Sequence, residues 1–218
     1  PSQRMQFLAW CLSSTDHSSI GKFCYSNACY DLAASMLEKV TGQSWETLIQ
    51  HYVLNPIDLK SAGFGNPSEN KRDGIWGHWQ QWVGKSPTVP VASHQYALPL
   101  IERPSGDIHM SILDLARYAR FCLAGLMGKP VSIESGMSLN RQIFRTFFFS
   151  DPKYSCGWFR QRLQGQTVHI HWGSNGAFIA GIMLCKSMKF AAVVMANSSD
   201  PKSKRACLHY FERLLAGK

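Results

Sequence analysis

The order of elements in the sequence predicts an α+β fold. Apolar residues recur at helical spacing through much of residues 1–150. Four apolar segments separated by short turns follow over 155–196, and a last amphipathic stretch closes the chain at 203–215. Residues 1–150 therefore read as a mainly helical region holding one long irregular loop. Residues 151–218 read as antiparallel strands plus a final helix, the two forming one structural unit.

Phe7–Leu12 has the character of a helix end and runs into the polar stretch Ser13–Ser19. Asn27 is placed to cap a helix over about 28–40, with Leu32, Met36, Leu37 and Val40 as its apolar stripe and Gly42 as its stop. Ser44 caps the next helix through Trp45, Leu48, Ile49 and Tyr52, which Asn55-Pro56 ends. From Ser61 to Pro104 periodicity vanishes, and Trp76, Trp79 and Trp82 punctuate the stretch. These tryptophans either pin the loop to the body by burying area or wall a cleft. Ser111 caps a strong helix, Ile112–Leu126, with Leu113, Leu115, Ala116, Ala119 and Leu123 inward and Gly128 at its stop; a shorter one spans Leu139–Phe147. Strands are expected at Ser155–Leu163, Thr167–Trp172, Ala177–Cys185 and Phe190–Ala196, an antiparallel meander, before the helix Ser203–Leu215.

Composition narrows the function classes. Hydrophobic residues at 45% and charged residues at 17% exclude a disordered tail, a collagen-like repeat and a coiled coil. The longest apolar stretch, Phe178–Met195, is interrupted by Lys186 and Lys189, so no transmembrane segment is expected. The net charge of +9 is scattered, its densest cluster being Lys202, Lys204 and Arg205, and no nucleic-acid motif accompanies it; no nucleic-acid partner is expected. The 7 cysteines show no CxxC spacing, which argues against a zinc site or a redox pair.

Three segments carry chemistry. Tyr25-Ser26-Asn27 precedes a helix, His171-Trp172-Gly173-Ser174-Asn175-Gly176 ends one strand and turns into the next, and Arg103–Ser111 leads to Asp114 and the long helix. The phenol and amide share one segment and the imidazole stands on another; taken singly, Tyr-x-Asn is expected by chance and a histidine on a strand is usually structural. An unperturbed phenol titrates near pH 10, so a basic role for Tyr25 requires cations beside it. Alternation puts His169 on the face of His171, but no third ligand is evident and no metal is expected.

In this order the segments resemble the penicillin-binding-protein-like serine hydrolases: class C β-lactamases, D-Ala-D-Ala carboxypeptidases and related esterases. Gly21–Asn27 is similar to the family's Gly-x-x-Phe-x-Tyr-Ser-Asn loop with one residue fewer before Tyr. Glu38–Gly42, Asn55–Leu59 and Gly106–Asp114 resemble further family segments, and His171-Trp172-Gly173 resembles the His-x-Gly form of its third motif. The resemblance implies a β-lactamase/transpeptidase-like architecture, an antiparallel sheet flanked by helices plus a helical region. It assigns catalytic roles to Tyr25, Asn27 and His171. It also assigns oxyanion and substrate binding to Gly173, Ser174 and Trp172, with the Ser174 N–H as half of an oxyanion hole. Trp172 stands where β-lactamases carry a small hydroxyl residue, and its bulk is expected to narrow the cleft.

The family's nucleophile lies in a Ser-x-x-Lys motif upstream of the tyrosine. Ser19-Ile20-Gly21-Lys22 lies too close to Tyr25 and contains a helix-weakening glycine, and Ser68-Glu69-Asn70-Lys71 lies in the wrong order. The expectation is a fold incomplete at its N-terminus, with no nucleophile in this chain and Phe190–Ala196 left with an unpaired edge. The implied function is acyl-serine hydrolysis of an ester, amide or D-amino-acid peptide in the full-length protein, without metal or organic cofactor, this chain alone being inactive. Its partners would be a small-molecule or peptide substrate and either the missing N-terminal segment or a second copy. Export to the periplasm or cell surface is the family's habit. The alternative is a non-catalytic binding module of the same fold.

Overall fold

The computed structural model describes residues 2–13, 21–67, 75–79, 89–90, 98–132 and 138–217. Helix α1 spans Ser2–Ser13, α2 Asn27–Thr41 and α3 Trp45–Ile49, the last running on as a π-turn over Gln50–Leu54. Short strands β1 (Gly63–Phe64), β2 (His78–Trp79) and β3 (Val89–Pro90) interrupt the long loop. A one-turn helix α4 (Arg103–Gly106) and β4 (Ile108–His109) lead to α5, Ile112–Leu126. A small hairpin, β5 (Val131–Ser132) with β6 (Ser138–Leu139), precedes α6, Arg141–Phe149. The main sheet comprises β7 (Tyr154–Ser155), β8 (Trp158–Leu163), β9 (Gln166–Ser174), β10 (Ile179–Cys185) and β11 (Phe190–Ala196), and α7 (Pro201–Leu215) follows.

The sheet order is β11-β10-β9-β8-β7 and every neighbouring pair is antiparallel, the meander that the turn spacing dictates. Strand alternation divides its side chains between two layers. Ile182 and Leu184 pack with Trp158 against Ala119, Cys122 and Leu126 of α5 and Phe144 and Phe148 of α6. Met183 and Cys185 pack with Val168 and Ile170 against Phe211 and Leu215 of α7. Each fully buried phenylalanine, Phe148 and Phe211, contributes about 2–3 kcal/mol by this burial. The α+β architecture is thus a sheet between helical layers.

Local chemistry explains the boundaries. The Ser111 and Ser44 hydroxyls accept from the N–H groups of Asp114 and Thr47, capping α5 and α3, and Asp200 caps α7 with Pro201 in its first turn. Gly42 ends α2 in the left-handed region at φ 71°, a conformation open to glycine at little cost. At the front of α2 the cap is Ser26, in extended conformation, and Asn27 is the first helical residue rather than the cap.

Two expectations of burial are corrected. In α2 the buried residues are Asp31, Ala34, Ser35 and Glu38, while Met36 (62% exposed), Leu37 (53%) and Val40 (84%) face outward. The polar face is inside because Arg4 of α1 meets it: its guanidinium pairs with Glu38 and, at 2.9 Å, with Glu46. In α5, Leu113 is exposed rather than inward, and Cys122 and Leu126 carry the contact instead. At the sheet's other margin, β11 pairs with β10 along all 7 of its residues, and no strand among the described residues pairs with its outer edge. None of the helices among the described residues is long and apolar enough to cross a membrane.

Candidate active site

The site forms where β8 stops short. The β8–β9 ladder ends at Phe159 opposite Ile170, whereas β9 runs on through His171, Trp172, Gly173 and Ser174, which pair with β10 alone. The tight turn Cys156–Gly157 folds β7 back at that point and leaves a notch beside the last residues of β9. The extended backbone of Ser26 delivers Tyr25 into this notch at the start of α2.

Tyr25 stacks on Phe159 at 6.0 Å, meets Tyr154 edge-on at 5.7 Å and lies 6.3 Å from the His171 ring, all between centroids. His171 stacks in turn on Phe159 at 5.9 Å. Burial pushes the His171 imidazole below its usual range, and a hydrogen bond with the Gly157 backbone acts the other way. The ring is therefore neutral at pH 7, a donor and acceptor rather than a fixed cation. Asn27 is exposed on the first turn of α2.

Gly173 and Ser174 are exposed at the strand end. The turn beyond them satisfies itself: the Ser174 hydroxyl accepts from the Gly176 N–H at 3.2 Å. The Asn175 carbonyl oxygen accepts from Ala177 N–H at 3.1 Å and Phe178 N–H at 2.9 Å. The long loop braces this turn, since the His78 N–H donates to the Ala177 carbonyl at 3.1 Å and Asn197 donates to the Trp76 carbonyl at 3.1 Å. Trp76 itself is exposed, so the backbone does the pinning; Trp82, Ser19 and Ser68 lie outside the described residues.

Trp172 is not in the cleft. As neighbour of His171 on a strand it points to the opposite face, where its ring packs 5.2 Å from Phe211 of α7 and covers Gly181. A Cβ on Gly181 would lie 2.3 Å from that ring, so the cross-strand glycine is what admits the tryptophan. The expectation that its bulk narrows the cleft is overturned, and the open margin at Gly173 and Ser174 remains unobstructed by it.

His169 shares the face of His171 but is 3% exposed, wedged between the rings of Phe148 and Phe149 at 5.3 and 5.4 Å. Burial, then the cations Arg160 and Lys186, hold its pKa down to about 4. Among the described residues no group of three His, Cys, Asp or Glu is placed to hold a metal. A cavity of about 280 Å³ lies toward the far end of α2, lined by Met5, Ser35, Glu38, Lys39 and Gly42–Ser44, and its lining includes none of Tyr25, Asn27, His171, Gly173 and Ser174.

Sequence reasoning missed four rings that complete the site. Phe23 lies 5.3 Å from Tyr154, Tyr154 lies 4.7 Å from Phe159, and the Tyr30 and Tyr154 hydroxyls bond at 2.9 Å. Phe23 sat inside the motif and was legible as aromatic; nothing local announced that Tyr154 would meet it.

Known proteins share this arrangement of elements. The structure superposes on an octameric penicillin-binding protein homologue from Pyrococcus abyssi with a TM-score of 0.75, at 22% identity, covering 99% of this chain and 48% of that one. A D-stereospecific amidohydrolase from a Streptomyces species gives 0.73 at 17% identity, covering 99% and 61%. In sequence, the chain is 24% identical over 202 residues to an unguisins hydrolase of Aspergillus violaceofuscus, 81% of this chain but 34% of that protein. The chain thus spans about a third of the length of the curated relatives it matches. A family model described as Beta-lactamase matches residues 10–216, nearly the whole sequence. With that match and the shared fold, this chain belongs to the beta-lactamase family.

Proposed function

We propose that the chain is the part of a serine hydrolase that supplies the proton-transfer and substrate-binding half of an acyl-serine active site, acting on an ester, amide or D-amino-acid peptide. The observation that carries this reading is the meeting of Tyr25 with His171 beside the open end of β9, from opposite ends of the sequence. In the reaction, a serine Oγ attacks the substrate carbonyl carbon. Tyr25 takes the hydroxyl proton and returns it to the leaving group, and water later breaks the acyl ester. The Ser174 N–H stabilises the developing oxyanion; one such donor is worth about 10²–10³ in rate. Asn27 orients the substrate amide and the lysine of the nucleophile's own motif, which also supplies the cation that Tyr25 requires.

The nucleophile belongs to a Ser-x-x-Lys helix outside these 218 residues. Two surfaces support that assignment: the apolar residues Met36, Leu37 and Val40 of α2, exposed to solvent, and the outer edge of the uncharged strand β11, which no strand among the described residues pairs. Relatives of about three times the matched length, such as the unguisins hydrolase, have chain to spare for both.

The test compares the 218-residue chain with a reading frame extended upstream, each treated with a fluorophosphonate and a penicillin probe, the labelled residue being mapped by mass spectrometry. The extended protein is expected to be labelled at a serine of a Ser-x-x-Lys motif and the chain alone to stay unlabelled. Stoichiometric labelling at Ser19 or Ser68 overturns the assignment of the nucleophile. An extended frame that lacks the motif and resists both probes points instead to a binding module.

A further inference from the structure

A group that moves a proton must be held to a fraction of an ångström, and Tyr25 does not hold itself. Rings, not hydrogen bonds, contact its side chain among the described residues. The helix that follows it, α2, is anchored on its buried face by Arg4 of α1, through Glu38 near its far end. Its front is tied to the main sheet by another bond. Tyr30, one turn on from Asn27, meets Tyr154 of β7 with the two hydroxyls 2.9 Å apart, one donating to the other.

Tyr154 carries that tie to the site. Its ring lies 5.3 Å from Phe23, 5.7 Å from Tyr25 and 4.7 Å from Phe159, and Phe159 stacks in turn on His171 at 5.9 Å. The turn after β7 reaches the imidazole directly: the Gly157 backbone is hydrogen-bonded to His171, and a Cβ on Gly157 would lie 3.8 Å from the Tyr30 hydroxyl. Residues 154–157 therefore touch the phenol on one side and the imidazole on the other, and Tyr30 bonds them to the helix. Burial raises both the Tyr30 and Tyr154 phenols above their usual range. At neutral pH they keep their protons and hold by a neutral hydrogen bond.

We infer that Tyr30 and Tyr154 are positioning residues, whose hydroxyl pair fixes the front of α2 to β7 and so sets Tyr25 against His171. The inference rests on the reading of Tyr25 as the proton-transfer group, and deepens it by naming what holds that group in place.

Phenylalanine at either position removes the bond and keeps the ring. In the upstream-extended protein, Tyr30→Phe, Tyr154→Phe and the double variant are compared by stopped-flow acylation with a chromogenic ester. NMR of isotope-labelled histidine rings follows His171 in the same proteins. Each single variant is expected to lower the acylation kcat about tenfold and to leave KM within about twofold, since the loss is of geometry at the reacting atoms. The double variant is expected to lose no more than the worse single one, because both substitutions remove one bond. The His171 ring resonance should shift in the same direction in both single variants as the Tyr25 ring moves against it. An unchanged kcat in a protein that is acylated, losses that add in the double variant, or a His171 resonance that neither substitution moves each overturn the inference. A resonance that moves in both, in an extended protein that resists acylation, would overturn the hydrolase reading and leave this one standing.

Discussion

Tyr25 and His171 lie 6.3 Å apart, ring to ring, with Phe159 stacked against both. The phenol reaches that place because Ser26 is extended, and the imidazole reaches it because β9 outlasts β8. Neither hydroxyl nor ring of Tyr25 is held by a hydrogen bond among the described residues, which separates its chemistry from its role in folding.

Tyr25→Phe should therefore leave stability nearly unchanged while slowing acylation of the upstream-extended protein by about 10²–10⁴, the usual worth of a positioned proton-transfer group. Stopped-flow acylation with a chromogenic ester, beside a thermal melt, reads both. An unchanged acylation rate removes Tyr25 from the mechanism.

Trp172→Ala tests the reassigned tryptophan. Loss of the ring from between Gly181 and Phe211 should destabilise the fold by about 2–4 kcal/mol, measured by urea unfolding. Ligand affinity at the Tyr25 notch should stay within about twofold, since the ring sits on the other face of the sheet. A large affinity change with intact stability would return Trp172 to the cleft.

Asp31 is 1% exposed, and burial, reinforced by Glu102, raises its carboxyl to about 6. A carboxyl raised in the native state favours folding only while protonated. Its relative contribution is present below pH 4 and is lost as pH climbs through about 6. Asp31→Asn should accordingly gain on the natural chain by about 2 kcal/mol between pH 4.5 and pH 8. Parallel pH profiles of the two unfolding midpoints would contradict this.

His169 has the opposite linkage. Its native value of about 4 lies below the 6.5 of an unfolded histidine, so its contribution is complete above pH 6.5 and is lost as pH falls toward 4. That acid limb amounts to about 3 kcal/mol. His169→Leu should flatten it, as read by urea midpoints between pH 4 and 7.

Gly125→Ala would raise helix propensity in α5 by about 1 kcal/mol, yet its methyl would lie 2.1 Å from the Phe144 ring of α6. The clash should win, with a net loss of about 1–2 kcal/mol. A rise in melting temperature would mean that α5 and α6 separate at little cost.

Much of this was legible beforehand, and for local reasons. The limits of α5 and β11, the caps Ser111 and Ser44, and the stop at Gly42 depend on a few consecutive residues and their hydrogen bonds. Tyr25, Asn27 and His171 were legible as motif members on the elements where they stand. Tertiary structure decided the rest. The period of α2 announces that its two faces differ, but Arg4, reaching from α1, determines that Asp31, Ser35 and Glu38 are the face that turns inward. Alternation puts His171 and Trp172 on opposite sides of β9, yet only the docking of α7 shows that the side of Trp172 is covered by Phe211. Tyr154 joins Phe23 and Tyr30 through contacts made across the fold, and those depend on strand register and helix docking, for which no short stretch of sequence carries a signal.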